Sequence, residues 1–303
     1  MQTTMTDKTI RLSDGRQLGY AEYGDPEGMP LLYFHGTLGS RLEPSHLDPL
    51  FRDLGVRVVA PERPGYGLSD VHPKPTLLGW VPDVAVLADR LHLERFALMG
   101  LSGGGPYVAA TAYTLPERVT KLAFVSATCP LTLPDATRGM GPTNRLQLRL
   151  ARIGPWALNL LMQNIARGTN QPERLRKQFM RALPPVDAEV LQHDEYWHRL
   201  LADIREGMRN GTRGATWDIV LWARPWGFRL EEIQVPASLW HGDADTNVPV
   251  TMGRAIARAI PHCQATFVPG EGHLSLILKH EEEIFRSFFA PKRDNHGNGP
   301  MPS

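Results

Sequence analysis

The sequence predicts an α/β fold: a mostly parallel, eight-stranded sheet with helices on both faces and a block of helices inserted after the sixth strand. Three observations predict it. Short apolar runs alternate with longer stretches of helical periodicity, the pattern of a parallel sheet wound with helices. One strand candidate, LLYFH at 31–35, is apolar almost throughout, as a strand covered on both faces must be. From about 130 to 225 the β pattern stops, and Pro and Gly divide the chain into short helical pieces.

Taken in order, residues 9–12 and 17–23 read as two strands around the turn Ser13-Asp14-Gly15. Residues 31–35 form the third strand, followed by a helix over 43–53 and a fourth strand, VRVVA, at 56–60. A Gly/Pro-rich loop from Pro61 to Ser69 leads to a helix at about 77–91. Residues 95–99 are a strand, 103–115 a helix and 121–126 a strand. The helical block is broken at Pro142, Gly154-Pro155, Pro172 and Pro184-Pro185. Strands resume at 236–241 and 264–268, each followed by a helix. This divides the chain into a core, 1–129 with 226–290, and a helical insert, 130–225, that is a candidate second domain or lid. The tail at 291–303 has the Pro, Gly, Asn and charge content of a disordered segment.

Composition excludes several classes. Lys and Arg (33) nearly balance Asp and Glu (32), which argues against a global nucleic-acid or membrane-surface role. Cys129 and Cys263 are the two cysteines, and neither has a partner at metal-ligand spacing, so two buried free thiols in a reducing compartment are expected. The polar start, MQTTMTDKTIRLSDG, has no signal-peptide core, and no apolar run approaches the ~18 residues of a membrane span. The expected protein is soluble and cytoplasmic, a monomer or homodimer, and uses neither metal nor organic cofactor.

In an open parallel sheet, ligands sit beyond the C-terminal ends of the strands. The loops there carry His35 and Thr37, Ser102, Asp243 and Asp245, and His273. The stretch Gly100-Leu101-Ser102-Gly103-Gly104 places a serine between glycines where a strand turns into a helix. With a histidine and an acid at the same sheet edge, such a serine can be activated as a nucleophile.

These residues resemble the α/β-hydrolase family over about 9–290, with 130–225 matching only in being a helical cap. Gly100–Gly104 is similar to its G-x-S-x-G nucleophile elbow, and the order Ser…Asp…His matches as well. The resemblance implies that Ser102 is the nucleophile. It implies that His273, in Pro269-Gly270-Glu271-Gly272-His273, is the base. Gly242–Pro249 resembles the family's G-x-x-D-x-x-V-P segment, which makes Asp245 the orienting acid, with Asp243 as competitor. His280 is read as exposed and His241 as structural. The oxyanion-hole donors implied are the backbone N–H groups of Thr37 and Gly103, with His35 holding the loop. Leu38 stands where the family often has Pro. Pro61–Ser69 resembles the D-x-R-G-x-G-x-S segment, with Glu62 and Pro64 departing from it, and is read as loop-shaping.

The implied activity is a serine hydrolase cleaving a carboxylic ester, or less favourably a thioester or a C–C bond, of a small to medium apolar molecule. Ser102 excludes the aspartate-nucleophile branches, and Gly103 stands where proline aminopeptidases usually have Trp. The alternatives are a non-hydrolytic enzyme (lyase, cyclase or acyltransferase) using the same three groups, and a catalytically silent ligand-binding protein. Residues 138–213 hold thirteen Lys/Arg against seven acids, read first as solvated helix faces and second as a basic lid for an anionic substrate. Of the aromatics at Trp156, Phe179, Trp197, Trp217, Trp222 and Trp226, Trp217 and Trp222 are taken as pocket-lining.

Overall fold

The structure, a computed structural model, describes residues 7–290 of the 303-residue chain, so the expected disordered tail at 291–303 lies outside the described residues. Eight strands build one sheet: β1 (Lys8–Arg11), β2 (Gln17–Gly24), β3 (Met29–Phe34), β4 (Val56–Pro61), β5 (Phe96–Leu101), β6 (Val119–Val125), β7 (Ala237–Gly242) and β8 (Cys263–Val268). Their spatial order is β1-β2-β4-β3-β5-β6-β7-β8. The β1–β2 and β2–β4 pairs are antiparallel, and every other pair is parallel. The chain runs from β3 outward to β4, then returns to start β5 on the other side of β3. The loops after β3 and β5 therefore part at a topological switch point, where a crevice opens.

Alternation along β3 explains its apolar run. Successive side chains point to opposite faces. Leu32 and Phe34 join a core with Trp80, Leu87 and Val108, while Leu31 and Tyr33 join a second core with Phe51, Phe285 and Phe288. Among the helices supplying those layers are α1 (Asp48–Asp53), α2 (Val81–Arg90) and α3 (Gly105–Thr114). Each is shorter than the sequence suggests and is preceded by a 3₁₀ turn, at Ser45–Leu47, Leu78–Trp80 and Ser102–Gly104. Each carries a proline in its first turn, the one place where a missing N–H and a fixed φ suit a helix.

Between β6 and β7 lie α4 (Pro142–Ile153), α5 (Pro155–Gly168), α6 (Pro172–Ala182), α7 (Pro185–Val190), α8 (Asp194–Gly207) and α9 (Arg213–Trp222), with no strand among them. The prolines at 142, 155, 172 and 185 read as breaks are the first residues of α4 to α7. After β7 and β8 come α10 (Val250–Ala259) and α11 (His273–Phe289). Among the described residues no helix is long and apolar enough to cross a membrane, and no group of three or more His, Cys, Asp or Glu is placed to hold a metal. Cys129 and Cys263 are free thiols; Cys129 is buried, which pushes its thiol up to about 12, whereas Cys263, at the start of the edge strand β8, is only half-buried.

Candidate active site

β3 and β5 are paired with Phe34 opposite Gly100, which brings the segments beginning at His35 and Ser102 to the same sheet edge. Close approach there depends on glycine. A Cβ on Gly104 would stand 2.2 Å from the Phe34 carbonyl oxygen, and one on Gly100 would stand 2.8 Å from the Gly104 backbone. Ser102, at φ +50, occupies the left-handed region, a conformation that costs a non-glycine residue about 1–2 kcal/mol. The turn lifts its side chain clear of the strand, ahead of the N-terminus of α3.

The Ser102 Oγ lies 3.0 Å from Nε2 of His273, and Nδ1 of the same ring lies 2.7 Å from Oδ2 of Asp245. A carboxylate can only accept, so Nδ1 carries the proton, Nε2 is the acceptor and the Ser102 hydroxyl donates to it. Asp245 is held in turn by the N–H groups of Asn247 (2.8 Å) and Val248 (2.9 Å). Burial of His273 opposes its charging, but the Asp245 carboxylate, with Asp187 and Glu43 nearby, outweighs this and raises its pKa.

The neighbouring groups take other parts. Asp243 is exposed and accepts the Gly270 N–H at 2.7 Å, bracing the loop before His273 rather than touching its ring. His241 is fully buried and donates from Nε2 to the Val248 carbonyl at 2.8 Å. His280 is half-buried rather than exposed, because Glu283 and Glu271 flank it on the side of α11.

Thr37 and Gly103 face one another. A Cβ built on Gly103 would lie 3.3 Å from the Thr37 amide nitrogen and 2.1 Å from its hydroxyl. The direction of the Thr37 N–H is set from behind. The Gly36 carbonyl accepts from His35 Nδ1 at 2.8 Å and from Arg63 Nη2 at 3.0 Å. In a trans peptide the N–H points opposite to the C=O, so holding the Gly36 oxygen aims the Thr37 N–H the other way. Arg63 also donates to the His35 carbonyl at 2.6 Å, and Glu43 accepts the Gly36 N–H at 2.9 Å. Leu38 sits at φ +75, which proline cannot reach, so the family's usual Pro would not fit this loop as it stands.

Sequence reasoning missed the partners of these groups. Arg63 is buried and pairs with Asp218 of α9 at 2.6 Å, and Asp218 also accepts the Tyr66 hydroxyl (2.8 Å) and the Tyr107 hydroxyl (2.7 Å). Asp187 of α7 accepts the N–H groups of His273, Leu274 and Ser275, each at 2.9 Å. Asp203 of α8 accepts the Ser40 hydroxyl. For Asp218 a signal existed: it is one acid inside the apolar run ATWDIVLW. Asp187, in PPVDAEV, carries no comparable mark.

Ser102 and His273 open onto a cavity of about 240 Å³ whose walls include Leu38, Met140, Met162, Phe179, Ile219 and Trp222. Among the described residues no lysine or arginine lines it. Eleven of the thirteen Lys/Arg at 138–213 are exposed and Arg176 and Arg199 are half-buried, so they form solvated faces and not a basic pocket. Trp217 does not reach this cavity. Trp222 lies five positions further along the helix, a rotation of about 140°. Trp217 lines a separate depression with Pro64 and His72 and lies under Arg224. Trp156 is exposed and Trp197 is buried in a core with Leu175 and Leu201.

A hydroxyl bonded to an imidazole, which is bonded to a carboxylate, can attack a carbonyl. Two backbone amides beside it can meet the charge that then develops on oxygen. This fold and site define a class, and the chain belongs to the alpha/beta hydrolase fold family, whose model matches residues 29–280. It is 26% identical over 268 residues to a Bacillus subtilis protein whose name proposes a 2-succinyl-6-hydroxy-2,4-cyclohexadiene-1-carboxylate synthase, covering 87% of this chain and 90% of that one. It is also 26% identical, over 272 residues, to a bifunctional esterase/perhydrolase of Acinetobacter calcoaceticus, covering 87% and 92%. Among solved structures, a hydrolase from Pseudomonas aeruginosa matches with a TM-score of 0.70 and 23% identity over 94% of this chain and 98% of that one, a likeness of fold.

Proposed function

We propose that the chain is a serine hydrolase that cleaves a carboxylic ester of a small to medium apolar substrate through an acyl-Ser102 intermediate. The observation that carries this reading is the hydrogen-bond chain from Ser102 through His273 to Asp245 at the mouth of an apolar cavity. Ser102 attacks the carbonyl carbon while His273 takes its proton at Nε2. Asp245 holds Nδ1–H and favours the imidazolium. The Thr37 and Gly103 N–H groups form the oxyanion hole. His273 returns the proton to the departing alcohol, then activates the water that releases the acid. Among the described residues the cavity wall has no Lys or Arg, and its ionisable carboxyls are Glu43 and Asp203, which supports an acyl group without negative charge. Residues 130–225 act in this scheme as a cap on the core formed by 1–129 and 226–290, with Trp222 on the acyl wall.

Thioester cleavage is compatible with the same steps and ranks second. A non-hydrolytic use of the three groups is kept open by the relative whose name proposes a synthase. The test is a fluorophosphonate probe together with a panel of p-nitrophenyl esters, thioesters and amides of graded acyl length. We expect labelling that Ser102→Ala abolishes, and ester turnover yielding acid and alcohol. A product other than these would move the reading to a lyase or transferase. A folded protein that neither labels nor turns over would make it a binding protein.

A further inference from the structure

The helical segment between β6 and β7 hides few charges. Among its charged side chains only Asp187, Asp203 and Asp218 are buried, at 0%, 7% and 3% exposure, one on each of α7, α8 and α9. A carboxylate leaves water readily only where hydrogen bonds or a cation replace it. Each of the three finds its replacement outside the segment, in the parts that surround Ser102. If these helices only covered a cavity, apolar residues would serve better at all three positions.

Asp187 meets the start of α11. The first N–H groups of a helix have no acceptor within it. Here the first helical residue is His273, and its N–H and the next two all donate to Asp187. The ring of His273 must reach Asp245 with one nitrogen and Ser102 with the other. A carboxylate on the backbone of that residue fixes how far the helix extends toward both. The charged or titratable groups facing His273 are Asp245, Asp187 from α7, Glu43 from the loop before α1, and His241 of β7. Asp187 thus also places negative charge where an imidazolium forms.

Asp218 acts at one remove. It anchors the guanidinium of Arg63, whose other N–H groups hold the His35 and Gly36 carbonyls. We propose that Asp187 and Asp218 are positioning residues of the Ser102 site, the first fixing His273 on its helix and the second, through Arg63, the direction of the Thr37 amide. The helical segment is then a working part of the hydrolytic apparatus and not only its cover. This inference rests on the reading of Ser102 as the nucleophile.

The experiment uses the full chain, with p-nitrophenyl acetate or the best ester of the panel, and follows kcat and KM against pH alongside thermal melts. For Asp187→Asn we expect kcat/KM to fall on the order of tenfold or more and its acid limb to move to lower pH, since a negative charge facing His273 is lost. Gly272→Ala should do the same without touching residue 187, because a Cβ there lies 2.5 Å from Asp187 Oδ1 and displaces the carboxylate. For Asp218→Asn and for Arg63→Lys we expect kcat to fall on the order of tenfold or more with KM and the acid limb nearly unchanged, the mark of an interaction felt in the transition state. Glu189→Gln, an exposed change on α7, is the control. Folded Asp187→Asn or Gly272→Ala protein with the wild-type pH profile would overturn the role of Asp187. Folded Asp218→Asn or Arg63→Lys protein with wild-type kcat would overturn that of Asp218. Ser102→Ala, run in parallel, separates the two levels: if it stays active, the reading of the site fails. If it is inactive while the aspartate variants behave as wild type, only this inference fails.

Discussion

Gly103 faces Thr37 across a gap that has no room for a methyl group, and Gly103→Ala puts one there. The new Cβ would start 2.1 Å from the Thr37 hydroxyl, against a contact distance of about 3.5 Å, so roughly 1.4 Å must be found. Thr37 is β-branched and stiff at χ1. The relief therefore falls largely on the two peptides, which must part by about 1 Å, beyond the roughly 0.5 Å that a catalytic constellation tolerates. In the proposed function these two amides form the oxyanion hole, and losing one such donor costs about 3–4 kcal/mol, so kcat should fall by about 10²–10³-fold with the melting temperature little changed. The assay is steady-state hydrolysis of the best p-nitrophenyl ester by purified single and double variants. Thr37→Ala should cost less than tenfold, since the amide remains, and adding it to Gly103→Ala should recover much of the loss. A folded Gly103→Ala protein within threefold of wild type would refute the reasoning, as would a double variant no better than the single.

Asp245→Asn should cost on the order of 10²-fold or more beyond Asp243→Asn, because only Asp245 touches the His273 ring; equal losses in the two variants would overturn the assignment. With the His273 pKa raised in the wild type, the acid limb of its kcat/KM profile should lie above the ordinary imidazole value and drop in Asp245→Asn, as read by a pH series. Trp222→Ala should shift the preferred acyl size by about 1–3 kcal/mol in kcat/KM while Trp217→Ala does not, a contrast that paired short and long esters would test. Glu43, half-buried, and Asp203, buried, stand together beside Gly39; loss of solvent pushes Glu43 from 4.5 up to about 7, and burial with the nearby Glu43 charge raises Asp203 well above its usual value. Raised carboxyl pKa values mean that the folded state binds protons more tightly, so stability is lost as pH rises from about 4.5 through 7. Asp203→Asn should flatten the melting temperature over that range, and a curve parallel to wild type would contradict the pairing.

The strands were legible because burial on both faces leaves an apolar run no helix of that length would show, as at 31–35, and each falls within about two residues of its expected place. Ser102, Asp245 and His273 were findable because their loops carry local punctuation at strand ends, and the structure brings their side chains within hydrogen-bond reach. Thr37 and Gly103 were named from the same loops, and the structure sets them side by side. What could not be read was the orientation of side chains in the helical segment. Trp217 and Trp222 look alike in sequence, yet the helical turn between them sends one to the cavity and the other away. Arg63 could be placed in a loop but not on the Gly36 carbonyl, since a contact across 27 residues has no local pattern.

The ties from Asp187 and Asp218 to α11 and Arg63 bear on how such an enzyme could be re-engineered. Exchanging the whole stretch between β6 and β7 for that of a relative is an attractive way to change substrate preference, since the strands and their loops stay in place. Here the exchange would also remove the acceptor for three amides at His273 and strand the guanidinium of Arg63 in the interior. A buried ion pair that loses one partner typically costs about 3–5 kcal/mol, a large share of a domain's stability. A chimera that keeps α7 through α9 and replaces only α4 to α6, which bring Met162 and Phe179 to the cavity wall, alters the surface a substrate meets and leaves both attachments whole.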